Sequence, residues 1–139
     1  MLWASPLMRP RGWLLLLCGY LAVWQPLALA GEVTATLGSL AMRGAAGVAE
    51  LSAHAVVAAF AFAAGWGLWI GNPNAPVLAQ IGLAACAAAT VQSLYWTWLP
   101  HNTMPGDRLP LAVMAVAHAA GWVVYLRRSG PVGDRLTRG

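Results

Sequence analysis

The chain has 139 residues, 60% of them hydrophobic and 9% charged, with a net charge of +4 that comes from arginine alone. A soluble domain carries about a quarter of its residues as charges, so an aqueous exterior is excluded and lipid is the main solvent. The length allows one domain, residues 1–139, with no separate soluble module. The arginines flank apolar stretches instead of forming a dense run, which favours a topology signal over nucleic-acid binding.

Arg9 and Arg11 open the chain, and an apolar run from Gly12 to Ala30 follows. Ala28-Leu29-Ala30 before Gly31 has the form of a signal-peptide cleavage site, yet the run exceeds the roughly 7–15 residues of a signal core. It is read as a spanning helix. A bilayer core of about 30 Å needs about 20 helical residues, and the predicted spans are 12–30, 47–70, 75–99 and 109–126. Pro26 should bend the first span near its outer end. The stretch Glu32–Ala46 reads either as a short helix lying at the interface or as an extension of the second span. Gly71-Asn72-Pro73-Asn74 is a turn signal, Pro100 ends the third span, and Pro105-Gly106-Asp107 marks the next loop. Strand alternation is absent, and open strands would leave backbone groups unpaired in lipid. The predicted fold is an all-α integral membrane bundle of four transmembrane helices.

Arginine placement sets the orientation. Arg9, Arg11, Arg127, Arg128, Arg135 and Arg138 fall on the side of the two termini, while Arg43 and Arg108 fall on the other. The positive-inside rule then makes both termini cytoplasmic. Trp13, Trp66, Trp69, Trp122 and Tyr125 fall at the cytoplasmic boundary, and Trp24, Tyr95, Trp96 and Trp98 at the outer one, as aromatic belts. Alanines and glycines crowd the spans, with Ala61 and Gly65 at small-xxx-small spacing and Ala115, Ala119, Ala120 and Gly121 in the last span. Such residues let helices approach closely, within one bundle or against another protein. Cys18 and Cys86 lie in apolar stretches and act as small hydrophobes, with no CxxC pair.

Polar groups inside spans are expensive. They are Gln25, Glu50, His54, Gln80, Gln92 and His118. Counting 1.5 Å per residue, all but Gln80 fall in the outer half of the bilayer. Glu50 and His54 are spaced i, i+4 and share a face, so a pocket with His118 open to the outer surface could form. The plain reading of Gln25, Glu50, His54, Gln92 and His118 is an interhelical hydrogen-bond network that sets helix register, at roughly 0.6–2 kcal/mol per bond. Sharper readings are a proton relay through Glu50 and His54, and axial ligation of haem or (bacterio)chlorophyll by His54 and His118. Glu50, His54 and His118 are a minimal set for a metal, so none is expected. His101 reads as a loop residue. No nucleophile elbow, P-loop, HExxH or GxGxxG motif is present, which argues against a familiar enzyme.

Gly12-Trp13-Leu14 opens the first span, and Trp122-Val123-Val124-Tyr125-Leu126-Arg127-Arg128-Ser129-Gly130-Pro131-Val132 closes the last. In these two ends the chain resembles an uncharacterised bacterial four-helix membrane family, domain of unknown function 2569. The resemblance implies a four-span fold in a bacterial inner membrane and assigns no residue a role. The expected function is non-catalytic: an accessory subunit packing on other integral membrane proteins of a larger complex, respiratory or photosynthetic, without cofactor or nucleic acid. The alternatives are a small proton-coupled transporter using Glu50, His54 and His118, and a haem- or pigment-binding protein. A substitution such as Ala119→Leu on a docking face should release a subunit from its complex.

Overall fold

The computed structural model describes residues 12–99 and 103–128. Arg9, Arg11, Pro100, His101, Arg135, Arg138 and the tail from Ser129 onward, with the expectations attached to them, lie outside the described residues. Among the described residues every element is helical. The order is α1 (Trp13–Gly19), a π turn (Tyr20–Trp24), α2 (Gln25–Thr36), a 3-10 turn (Leu37–Ser39), α3 (Leu40–Trp69), α4 (Ala75–Tyr95), a second 3-10 turn (Pro105–Asp107) and α5 (Arg108–Arg128). Three helical stretches, Trp13–Trp69, Ala75–Tyr95 and Pro105–Arg128, are long and apolar enough to cross a membrane.

The first stretch has 57 residues, which as a straight helix would measure about 85 Å. It folds back on itself instead. Glu32 meets His54, and Gly65 abuts Ala22, so the two arms run antiparallel. The reversal is spread over the 3-10 turn and Gly44, which has φ 66° and ψ −164°. That backbone region is essentially restricted to glycine. The segment 32–46 is therefore divided: Glu32–Thr36 complete α2, and Leu40–Arg43 lead into the break at Gly44.

Pro26 explains the π turn. It has no N–H to give the carbonyl four residues back, and its ring crowds that carbonyl. The ladder just ahead of it widens, and the Gln25 N–H bonds Tyr20 O, a five-residue step. Because α2 runs on to Thr36, Trp24 stands about 18 Å before its end, midway along the first arm.

At the far end of α3 the chain turns tightly. Gly71 has φ 74°, the Asn72 N–H bonds Gly67 O at 2.9 Å, and the Gly71 N–H bonds Leu68 O. This is a Schellman ending, and Asn72 Oδ1 then accepts the Asn74 N–H at 2.9 Å as an Asx turn. α4 returns antiparallel to α3, since Gly67 faces Ala75 and Gly82 faces Phe60 and Ala61. It stops at Tyr95, short of Leu99, and residues 96–99 bend back toward α3.

α3 packs between the first arm and α4, and α5 packs on α4. The core is small-sided: Leu17, Leu21, Ala61, Ala64, Leu83 and Cys86 are among its buried members. Gly65 is the point of closest approach, where an added Cβ would lie 2.9 Å from the Ala22 nitrogen. α5 contributes only Ala112, Ala119 and Leu126 as buried residues, a single stripe at seven-residue spacing. Rings join the first arm to α5: Trp13 lies 6.5 Å from Trp122, and Tyr20 lies 4.7 Å from His118, centroid to centroid.

Candidate functional site

Three elements converge at the end of the bundle where the first arm reverses. α2 supplies Glu32, α3 supplies Arg43, Glu50 and His54, and α4 with the turn after it supplies Gln92 and Trp98. Glu50 is buried, and both its oxygens accept: Oε1 from Gln92 Nε2 at 2.9 Å and Oε2 from the Trp98 N–H at 2.7 Å. The Gln92 amide also donates to Trp96 O at 2.8 Å. Arg43 donates through Nη1 to Trp98 O and through Nε to Ser39 Oγ. The Trp98 peptide is thus held at its N–H by a carboxylate and at its carbonyl by a guanidinium.

These bonds dictate the direction of the next ones. Both partners of Gln92 Nε2 can only accept, so the amide orientation is forced and Gln92 Oε1 faces His54. His54 Nε2, 3.2 Å from that oxygen, must therefore carry a hydrogen. His54 Nδ1 lies 2.8 Å from Glu32 Oε1. One proton occupies that contact, either on the imidazole facing a carboxylate or on the acid facing a neutral ring. The His54 side chain is 11% exposed and the Glu32 side chain 30%.

Glu50 and His54 share a face, as their spacing indicates, but they meet through Gln92 and not each other. Gln25 and His118 belong to a second group at a deeper level. Gln25 Nε2 donates to Tyr20 Oη at 2.9 Å, a pairing that the π turn brings into line. His118 Nε2 accepts from Trp122 Nε1 at 3.2 Å, and its ring lies beside Tyr20. His118 is exposed, and no described residue partners its Nδ1. Gln80, at the opposite end, accepts from Arg127 Nε at 3.1 Å.

A cleft of about 290 Å³ joins the two levels, running from Gln25 to Glu32 and His54 and walled by α4. Glu32, Arg43 and the Trp98 peptide were not among the residues expected here. Glu32 follows Gln25 by seven residues, with Leu29 between them, and all three line the cleft. That helical spacing is the signal that could have found it. Axial ligation by His54 would require giving up its bond to Glu32 or Gln92, and ligation through His118 Nε2 would require giving up its bond to Trp122. Among the described residues no three His, Cys, Asp or Glu side chains are grouped to hold a metal. Cys18 and Cys86 are free and buried.

In comparisons with family models, curated proteins and solved structures, nothing matches the chain. The likeness of its ends to the family named above rests on those residues alone.

Proposed function

We propose that this chain is a four-span integral protein of the bacterial inner membrane, with cytoplasmic termini, that serves as a non-catalytic subunit of a larger membrane complex. The observation that supports it most is His118. It lies midway along α5 and is exposed. Its Nε2 already accepts from Trp122, so its hydrogen is on Nδ1, a donor that no described residue takes up. A polar donor on the outward face of a spanning helix is costly in hydrocarbon. A transmembrane helix of a partner carrying a hydroxyl, carbonyl or carboxylate opposite Nδ1 would relieve that cost. Ala117, Ala120 and Gly121, also exposed on α5, allow close approach.

Orientation rests on the arginines: Arg127 and Arg128 end α5, while Arg43 and Arg108 lie at the opposite end. Alkaline phosphatase fused to the C terminus should be inactive and a fluorescent protein there bright; the reverse pattern refutes the topology.

Gentle detergent extraction, native sizing and mass spectrometry test the subunit reading. The wild type should run as part of a large complex, and both His118→Phe and Gly121→Leu should release it with its own helix content intact. A particle of this chain alone, or a complex indifferent to both variants, overturns the reading. Ala119 does not serve as this probe, because it is 8% exposed and packs in the chain's own core. A second reading, a small proton-coupled carrier, draws support from the Glu32–His54 pair lining the cleft.

A further inference from the structure

The cleft is lined by groups whose hydrogens are already committed. The Thr90 hydroxyl donates to Cys86 O at 2.9 Å and the Ser93 hydroxyl to Ala89 O at 2.9 Å. Thr97 Oγ1 donates to Leu99 O and accepts the Leu99 N–H. His54 spends both nitrogens on Gln92 and Glu32, and Gln25 spends one N–H on Tyr20. What these lining residues still have to offer is almost entirely acceptor: Glu32 Oε2, Gln25 Oε1 and the hydroxyl oxygens of Thr90 and Ser93. The remaining N–H of Gln25 is the exception. Leu29, Val57 and Ala89 supply apolar wall. The volume is at the small end of ligand pockets, which run from about 300 Å³ upward.

An acceptor-rich cleft with a carboxylate selects a donor-rich cation, and apolar walls select one with a short alkyl part. We propose that this cleft binds a protonated alkylamine, in exchange for the proton shared by Glu32 and His54. The ammonium places one N–H on Glu32 and another on His54 Nδ1, which becomes an acceptor once the shared proton has left for water. One positive charge enters and one leaves, so the net charge of the site is unchanged. The other charged groups near the pair do not compete. Glu50 has both oxygens occupied, and Arg43 is committed to Ser39 and Trp98. The amine could be free in solution or the headgroup of an ethanolamine lipid.

The full chain in phosphatidylcholine nanodiscs is titrated with n-butylammonium by calorimetry, in phosphate and in HEPES at one pH. Saturable binding is expected, with a heat that differs between buffers by the ionisation of up to one proton per amine. Glu32→Gln should weaken binding roughly tenfold or more, through loss of a charge-assisted bond. Ala89→Leu, which leaves the polar pair in place, should weaken it similarly by filling the cleft. Nanodiscs containing phosphatidylethanolamine separate the sources: weakened butylammonium binding there means that the headgroup occupies the site, and unchanged binding means a free amine. The absence of saturable binding, binding without proton release, or binding unaffected by both substitutions overturns the proposal. None of these outcomes depends on whether α5 docks to a partner.

Discussion

The same substitution should have opposite signs at two glycines. At Gly65, the added methyl of alanine would sit 2.9 Å from Ala22 N and 3.0 Å from both Ala22 Cβ and Leu21 Cβ. None of these is the free end of a flexible side chain, and Leu21 is fully buried. Overpacking costs about 1–3 kcal/mol, and a backbone contact places Gly65→Ala at the upper end. Alanine's better helix propensity returns about 1 kcal/mol, leaving a net loss of about 2 kcal/mol. At Gly121 nothing lies within 4 Å of the added methyl, so Gly121→Ala should keep the propensity gain of about 1 kcal/mol. Reversible unfolding of the isolated chain in mixed micelles, followed by circular dichroism, measures both. Ala22→Gly alone should cost about 1 kcal/mol of propensity, but combined with Gly65→Ala the total should be less than the sum of the two single losses, since it removes the Ala22 Cβ contact. If Gly65→Ala is as stable as the wild type, or both variants shift the same way, the close approach of α3 to the first arm is not what sets the packing.

Gly44→Ala should cost about 1–3 kcal/mol even though nothing crowds its side, because the penalty lies in φ; unfolding in the same micelles checks it. Glu50→Gln replaces an acceptor by a donor, opposing either Gln92 or the Trp98 N–H, for about 1–3 kcal/mol; faster hydrogen exchange at the Trp98 amide is the local readout. Gln92→Leu should cost more than Glu50→Gln, since Glu50 Oε1, Trp96 O and His54 Nε2 all lose a partner; equal losses would mean that the amide does not bridge them.

Much of this arrangement is legible in the chain, and the illegible parts share a cause. The turn at 71–74 is visible because Gly71 and Asn72 each do a specific backbone task. Ala61 and Gly65 announce close approach by being small at helical spacing. Glu50, His54 and Gln92 stand out as polar residues among alanines. Depth, however, follows from counting residues, whereas facing does not. His118 counts to a depth near His54 from the outer ends of their own spans, but it lies on α5 beside Tyr20. Glu32 is hidden because glycine and threonine around it resemble a loop, and a loop carboxylate is assumed to be solvated. The Trp98 contribution is a peptide group, which side-chain patterns do not reveal.

The rings between the first arm and α5 also bear on how the molecule is assembled. Helices that are neighbours in sequence pack as each is inserted, but this seam joins the first segment to the last. It cannot close until α5 has left the insertion machinery. Trp13, Trp122, Tyr20 and His118 therefore mark a late event. The part of the near-ultraviolet dichroism that disappears in Trp122→Phe would report completed closure, separately from the helix content acquired earlier.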